Sequence, residues 1–167
     1  MAEFTPQSIL NCMMNGPRVL LGGLAAGVLL VATGVGLGHG VLGPEYVRAF
    51  ASHRAHPVNV ITVLENTSLR LAYGFLAVFL YAAIRPRFGA GPRTAVIAAL
   101  VLWLTALLPR NLLLSEFGIL NGRQLALSLA YSAAEVVLAT LVGAAIYRER
   151  SAIPASRGAT PREGASG

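Results

Sequence analysis

Residues 125–147 read LALSLAYSAAEVVLATLVGAAIY, twenty-three positions with no proline and a single charge, Glu135. As a helix, at about 1.5 Å per residue, this stretch reaches roughly 34 Å, more than the ~30 Å hydrocarbon core of a bilayer. Three further stretches are of comparable length. Residues 19–42 contain His39 as their only ionisable group, residues 59–84 hold Glu65 and Arg70, and residues 94–114 are interrupted by Pro109 and Arg110. Backbone groups in lipid must be satisfied within their own segment, so the four spans are expected as helices. The predicted fold is an all-α, integral membrane four-helix antiparallel bundle over residues 18–149. A polar N-terminal segment, 1–17, precedes it and a Ser-, Ala-, Gly- and Pro-rich cytoplasmic tail, 150–167, follows. The tail has no periodic apolar face and is expected to be disordered.

Composition points the same way. Only 12% of the 167 residues are charged, about half of the roughly 25% typical of a soluble domain. A soluble fold has too little polar surface here to cover itself. The thirteen basic residues are all arginine and the seven acids all glutamate. The net charge of +6 carries no nucleic-acid inference, because the arginines collect at span boundaries instead of forming a stripe. Cys12 is alone, which excludes an intramolecular disulfide, a Cys-x-x-Cys redox pair and an all-cysteine metal site. The segment before the first span lacks the charged start of a signal peptide.

The arginines also set the expected orientation. Arg18, Arg85, Arg87, Arg93, Arg148, Arg150, Arg157 and Arg162 fall on one side, and Arg48, Arg54 and Arg123 on the other, with Arg110 at its edge. The positive-inside rule therefore places both termini and the loop 85–93, RPRFGAGPR, in the cytoplasm. That loop fits a tight helical hairpin, with Pro92 suited to open the third helix. Its glycines lack the G-x-x-x-x-G-K-[ST] pattern and no strand precedes them, so it is not read as a phosphate loop.

Charges inside the spans are the candidate functional residues, since a charge in lipid is expected to face the bundle interior and to pair. Arg70 lies fourteen residues from Ile84 and Glu135 twelve from Tyr147, so both sit about 20 Å from the cytoplasmic end. Glu65 and Arg110, nineteen residues from Ile84 and sixteen from Thr94, make a second opposite-charge layer at roughly 24 to 28 Å, with Glu116 as a competing partner for Arg110. Two readings of these pairs stand. They lock helices in register, which is favoured, or they line a proton or ion path, to which Asn66, Thr67 and Ser68 would contribute. The first span carries Gly23 with Gly27, Gly34 with Gly38, and Gly36 with Gly40 at small-xxx-small spacing. Packing within the bundle is the favoured use of these glycines, and a homo-oligomer face is the alternative. His39, His53 and His56 cluster at or beyond the outer end of the first span. A haem bundle would want histidines facing each other from different helices, so no cofactor and no metal is expected.

Three segments, RVLLGGLAAGV (18–28), LYAAIRPRFGAGPRTAVIAALVLWL (80–104) and SAAEVVLATLVGAAIYRE (132–149), resemble those of an uncharacterised family of small four-helix bacterial integral membrane proteins. The resemblance covers roughly residues 18–149. It implies a four-helix fold in the bacterial inner membrane and brings no activity with it. Members tend to begin just before the Arg-Val-Leu-Leu run, which suggests Met13 or Met14 as a native start. They also suggest a charged residue in the first helix, where this chain has Thr33 and Gly34, leaving Glu135 short of one polar neighbour. The run HRAHPVNVITVLEN (53–66) is similar to the Arg-Ala-His-x-Asn-x-x-Glu-Asn signature of the four-helix eicosanoid and glutathione-metabolising membrane proteins. Here one residue is inserted before Asn59 and three before Glu65, which moves those side chains off the face that the signature needs.

The function expected from the sequence is that of a non-enzymatic inner-membrane component whose main partner is the lipid bilayer. The alternatives are a proton-coupled carrier or channel using Arg70 and Glu135, and a glutathione-dependent membrane enzyme using Arg54, His56 and Glu65. Orientation is directly measurable. Single cysteines in the loop 85–93 or after Ser151, in a Cys12→Ser background, should resist impermeant thiol reagents added to intact cells, and a cysteine near Ser52 should react. The reverse pattern would overturn the assignment.

Overall fold

The computed structural model describes residues 16–53 and 59–147. The expected N-terminal segment, the tail, Arg54 and His56 lie outside the described residues. Everything regular among the described residues is helical. Helix α1 is Gly16–Gly36 and passes into a π turn, Leu37–Val41; α2 is Gly43–Ser52 and α3 is Val60–Phe88. Helix α4, Pro92–Leu102, continues through a second π turn, Trp103–Leu107, into α5, Leu108–Glu116, and α6 is Gly122–Ile146. Four of these units, Gly16–Gly36, Val60–Phe88, Pro92–Glu116 and Gly122–Ile146, are long and apolar enough to cross a membrane.

Local chemistry explains where the helices begin and end. Asn59 caps α3 by accepting from the Thr62 amide at 2.9 Å. Asn121 caps α6 in a reciprocal box, accepting from the Gln124 amide at 2.9 Å while its own amide donates to Gln124 Oε1 at 3.1 Å. The turn from α3 to α4 is shorter than the nine-residue loop expected. Helix α3 runs on through Pro86 to Phe88, Gly89 terminates it at φ 84, and Pro92 opens α4. Thr94 Oγ1 then donates to the Gly89 carbonyl at 2.8 Å and closes the hairpin. Between α5 and α6, Gly118 at φ 70 allows its own amide and that of Ile119 to bond the carbonyls of Ser115 and Leu114, a Schellman closure.

Two sequence expectations need correction. The first span is not one α-helix to Leu42, because the glycine-rich run after Gly34 widens into a π turn before that point; glycine contributes least to holding α-helical geometry. The stretch expected as an outer loop contains the ten-residue α2. Its Pro44 stands in the first turn and Glu45 faces the positive helix start, both favourable for nucleation.

Packing is close because the interior is built from small residues. Ala26, Ala77, Ala95, Ala99 and Ala139 are fully buried among larger neighbours such as Val78 and Leu102. Gly23 and Gly27 of α1 lie against Phe75 and Leu71 of α3, and Gly74 of α3 lies against the Gly27 backbone. Gly22 and Gly143 bring α1 and α6 together in the same way, each one's missing Cβ leaving room for the other's carbonyl. These contacts are intramolecular, so Gly22, Gly23 and Gly27 are used within the chain. The outside is the inverse of a soluble protein. Leu20, Leu21, Phe79, Leu104 and Leu138 are exposed, whereas Thr94, Asn111, Ser128, Ser132, Glu135 and Thr140 are buried.

Introducing a side chain at the α1–α3 crossing should separate the helices. Gly74→Val is expected to cost about 1 to 3 kcal/mol in a denaturant titration in mixed micelles. Gly40→Ala, where an added Cβ meets nothing within 4 Å, should stay within about 1 kcal/mol of wild type.

Candidate functional site

Helix α6 carries a polar stripe. Ser128, Tyr131, Ser132 and Glu135 recur at three- and four-residue intervals, the spacing that puts side chains on one helical face. Each member meets a different neighbour. Ser128 donates to Asn111 Oδ1 of α5 at 2.6 Å, and Asn111 in turn donates to the Leu107 carbonyl at 2.9 Å. Ser132 accepts the Trp103 indole N–H at 3.0 Å. Tyr131 reaches α1, donating to the Thr33 carbonyl at 2.8 Å. Helix α6 is thereby tied to α5, to the π turn before it and to α1.

Glu135 is the centre of the stripe. Its Oε1 stands 3.1 Å from Arg70 Nη1, with the two side chains 6% and 15% exposed. Arg70 Nη1 also donates to the Leu30 carbonyl of α1 at 2.6 Å. The Thr33 hydroxyl makes a short hydrogen bond to Glu135 Oε1 and lies 2.8 Å from the Leu29 carbonyl. The guanidinium fits against α1 because residue 34 is glycine: any Cβ there would run into Arg70 Cζ and both terminal nitrogens. The cluster thus joins α1, α3 and α6 at one level. In a low-dielectric interior the attraction between such charges is strong, and the desolvation cost is met only if both are paired.

Thr33 and Gly34 are therefore partners of the charge cluster, contrary to the expectation that they leave Glu135 without a neighbour. Depth contains the signal: Thr33 is fourteen residues from Val19, about 21 Å in, the level of Arg70. Glu65 and Arg110, expected as a second pair, are not brought into contact, and among the described residues the one ion pair is that of Arg70 with Glu135. Both instead line a cavity of about 860 Å³, together with Arg70, Asn66 and Thr67. The reason is architectural: α3 packs on α1, α4 and α6 but makes no extended contact with α5. Glu116 is exposed and does not take Arg110 as a partner. His53 is exposed at the end of α2, its Nδ1 2.8 Å from the Ala49 carbonyl of its own helix. No group of three His, Cys, Asp or Glu side chains that could hold a metal occurs among the described residues. Of the glutathione-type signature, Glu65 lies at the cavity, while Arg54 and His56 fall outside the described residues.

Family models, curated proteins and solved structures were compared with this chain, and none matches it. The likeness to small four-helix bacterial membrane proteins accordingly stands on the quoted segments alone.

Removing one member of the charge pair leaves the other unpaired in the interior. Arg70→Leu or Glu135→Leu should each cost on the order of 3 to 5 kcal/mol, and the double substitution much less than their sum. Gly34→Ala should reproduce much of the single-variant loss by displacing the guanidinium. Additive effects in a double-mutant cycle would show that the two side chains do not act as a pair.

Proposed function

We propose that the chain is a multi-pass protein of the bacterial inner membrane, an antiparallel bundle of four spans with both termini cytoplasmic, and that it works as a non-enzymatic membrane component. The membrane part of this reading is supported by four long apolar units that expose large side chains such as Leu20, Phe79, Leu104 and Leu138 while burying Thr94, Asn111, Ser132, Glu135 and Thr140. The observation that carries the functional part is the mutual engagement of Arg70, Glu135, Thr33 and the Leu30 carbonyl. Charges spent on one another between three helices fix register and orientation. Use of Gly22, Gly23 and Gly27 within the chain favours packing over a homo-oligomer face as the role of the glycines.

A proton-coupled carrier is the second reading, and one detail favours it. The Thr33 oxygen lies within hydrogen-bond reach of both Glu135 Oε1 and the Leu29 carbonyl, yet the hydroxyl has one proton to give. With Glu135 ionised, Thr33 donates to the carboxylate. With Glu135 protonated, the carboxyl donates to Thr33 and Thr33 to Leu29. Both protonation states fit the same heavy-atom positions, which is what a proton-binding carboxylate in a span requires.

Reconstitution separates the two. In liposomes carrying a pH gradient, clamped electrically with potassium and valinomycin, the wild-type protein should dissipate the gradient no faster than protein-free vesicles. A flux that is present in wild type and absent in Glu135→Gln would replace the structural reading with the carrier.

A further inference from the structure

The cavity beside Arg70 has a divided character that the charge cluster does not account for. One part of its wall is basic: Arg70 and Arg110 both reach it, and the carboxylate nearest Arg70, that of Glu135, is already engaged. Arg110 Nε is buried and has no hydrogen-bond partner, an unusual state for a guanidinium N–H withdrawn from water. Glu65, the one acidic side chain on the wall, is exposed and forms no ion pair with Arg110. Thr62, Asn66, Thr67 and Ser128 add neutral polar groups, and the remaining wall is apolar, with Val31, Val63, Leu69 and Leu114 facing it together with the side of α2 that carries Tyr46 and Phe50.

Helix α2 adds a second observation. It is amphipathic, with Glu45, Arg48 and Ser52 away from the cavity wall and Tyr46, Val47, Phe50 and Ala51 on it. Despite that apolar face, none of its residues is buried. An apolar helix face laid over a space of about 860 Å³ is covered when a hydrocarbon chain fills the space, and that volume is within the roughly 300 to 1,000 Å³ of small-molecule sites.

We propose that this cavity binds an amphipathic anion from the membrane, a single hydrocarbon chain ending in a carboxylate or phosphate. The head is held by Arg110, with Arg70 adding positive potential behind it, and the chain lies between α2 and α3 along Val63, Leu69 and Phe50. Guanidinium groups suit either head, because each offers paired N–H donors to two oxygens. The proposal rests on the membrane reading above for the source of the ligand.

The test uses the full chain in phosphatidylcholine nanodiscs and dansylated undecanoic acid as the probe. Saturable fluorescence gain is expected, reversed by palmitate and hexadecyl phosphate but by neither inorganic phosphate nor hexadecanol. Arg110→Gln should weaken binding by about tenfold or more, the size of a lost charge-assisted hydrogen bond. Leu69→Trp, placed at an exposed position on the cavity wall, should abolish binding without touching a charge, so the test stands even if the arginine variant fails to fold. Displacement by inorganic phosphate would mean a site for soluble anions and overturn the proposal. Equal displacement by hexadecanol, or unchanged affinity in folded Arg110→Gln, would also overturn it. Retention of the chain in membranes after alkaline carbonate with no probe binding removes this proposal alone, whereas release by carbonate removes the membrane reading as well.

Discussion

A carboxylate buried among helices is tolerable only if something cationic is held against it, and Glu135 imposes that condition on the whole molecule. Arg70 meets it from α3, but a guanidinium is wide, and it can lie between α3 and α1 only where α1 presents no side chain. Gly34 provides the gap, the Leu30 carbonyl takes one N–H, and Thr33 donates to the same carboxylate oxygen that Arg70 meets. Five positions on three helices are thus fixed by one electrostatic requirement. The cost of violating it greatly exceeds that of an ordinary surface ion pair, which contributes about 0 to 1 kcal/mol.

The remainder of the packing supplies little attraction of its own. In the membrane setting proposed above, helices gain nothing hydrophobic from association, so contact has to come from close van der Waals approach and a few hydrogen bonds. Here the approach is made by glycine against glycine at the α1–α3 and α1–α6 crossings and by alanine elsewhere. The hydrogen bonds are concentrated on one face of α6. Tight backbones and a polar seam reinforce each other, since short side-chain hydrogen bonds such as that of Ser128 with Asn111 require neighbouring helices to be near.

Much of this was legible in the sequence, and the parts that were not have identifiable causes. Span number, helix type and Pro92 as the first residue of α4 follow from apolar length and proline geometry, which act locally. Depth arithmetic put Arg70 and Glu135 at one level because both lie on uninterrupted helices. The same arithmetic put Glu65 beside Arg110, but equal depth says nothing of lateral distance, and α5 stands off from α3 across a cavity. Helix α2 was unreadable as a span because it is short and half polar. Thr33 and Gly34 were undervalued because a hydroxyl and a missing side chain carry no charge to flag them, although their depth matched that of Arg70.

The second π turn has a geometric effect on the helix that follows it. In a straight α-helix, eight residues advance about 800°, roughly 80° beyond two full turns, so Trp103 and Asn111 would point to different neighbours. The wider turn at Trp103–Leu107 closes on i−5 instead of i−4, spreading its rotation over an extra residue and taking most of that excess back. Trp103 and Asn111 consequently reach the same partner helix, one at Ser132 and the other at Ser128. Arg110, one position earlier, is turned from that seam toward the cavity. The π turn therefore works as a phase correction: it keeps two distant residues of one span on a common face while aiming an arginine at another.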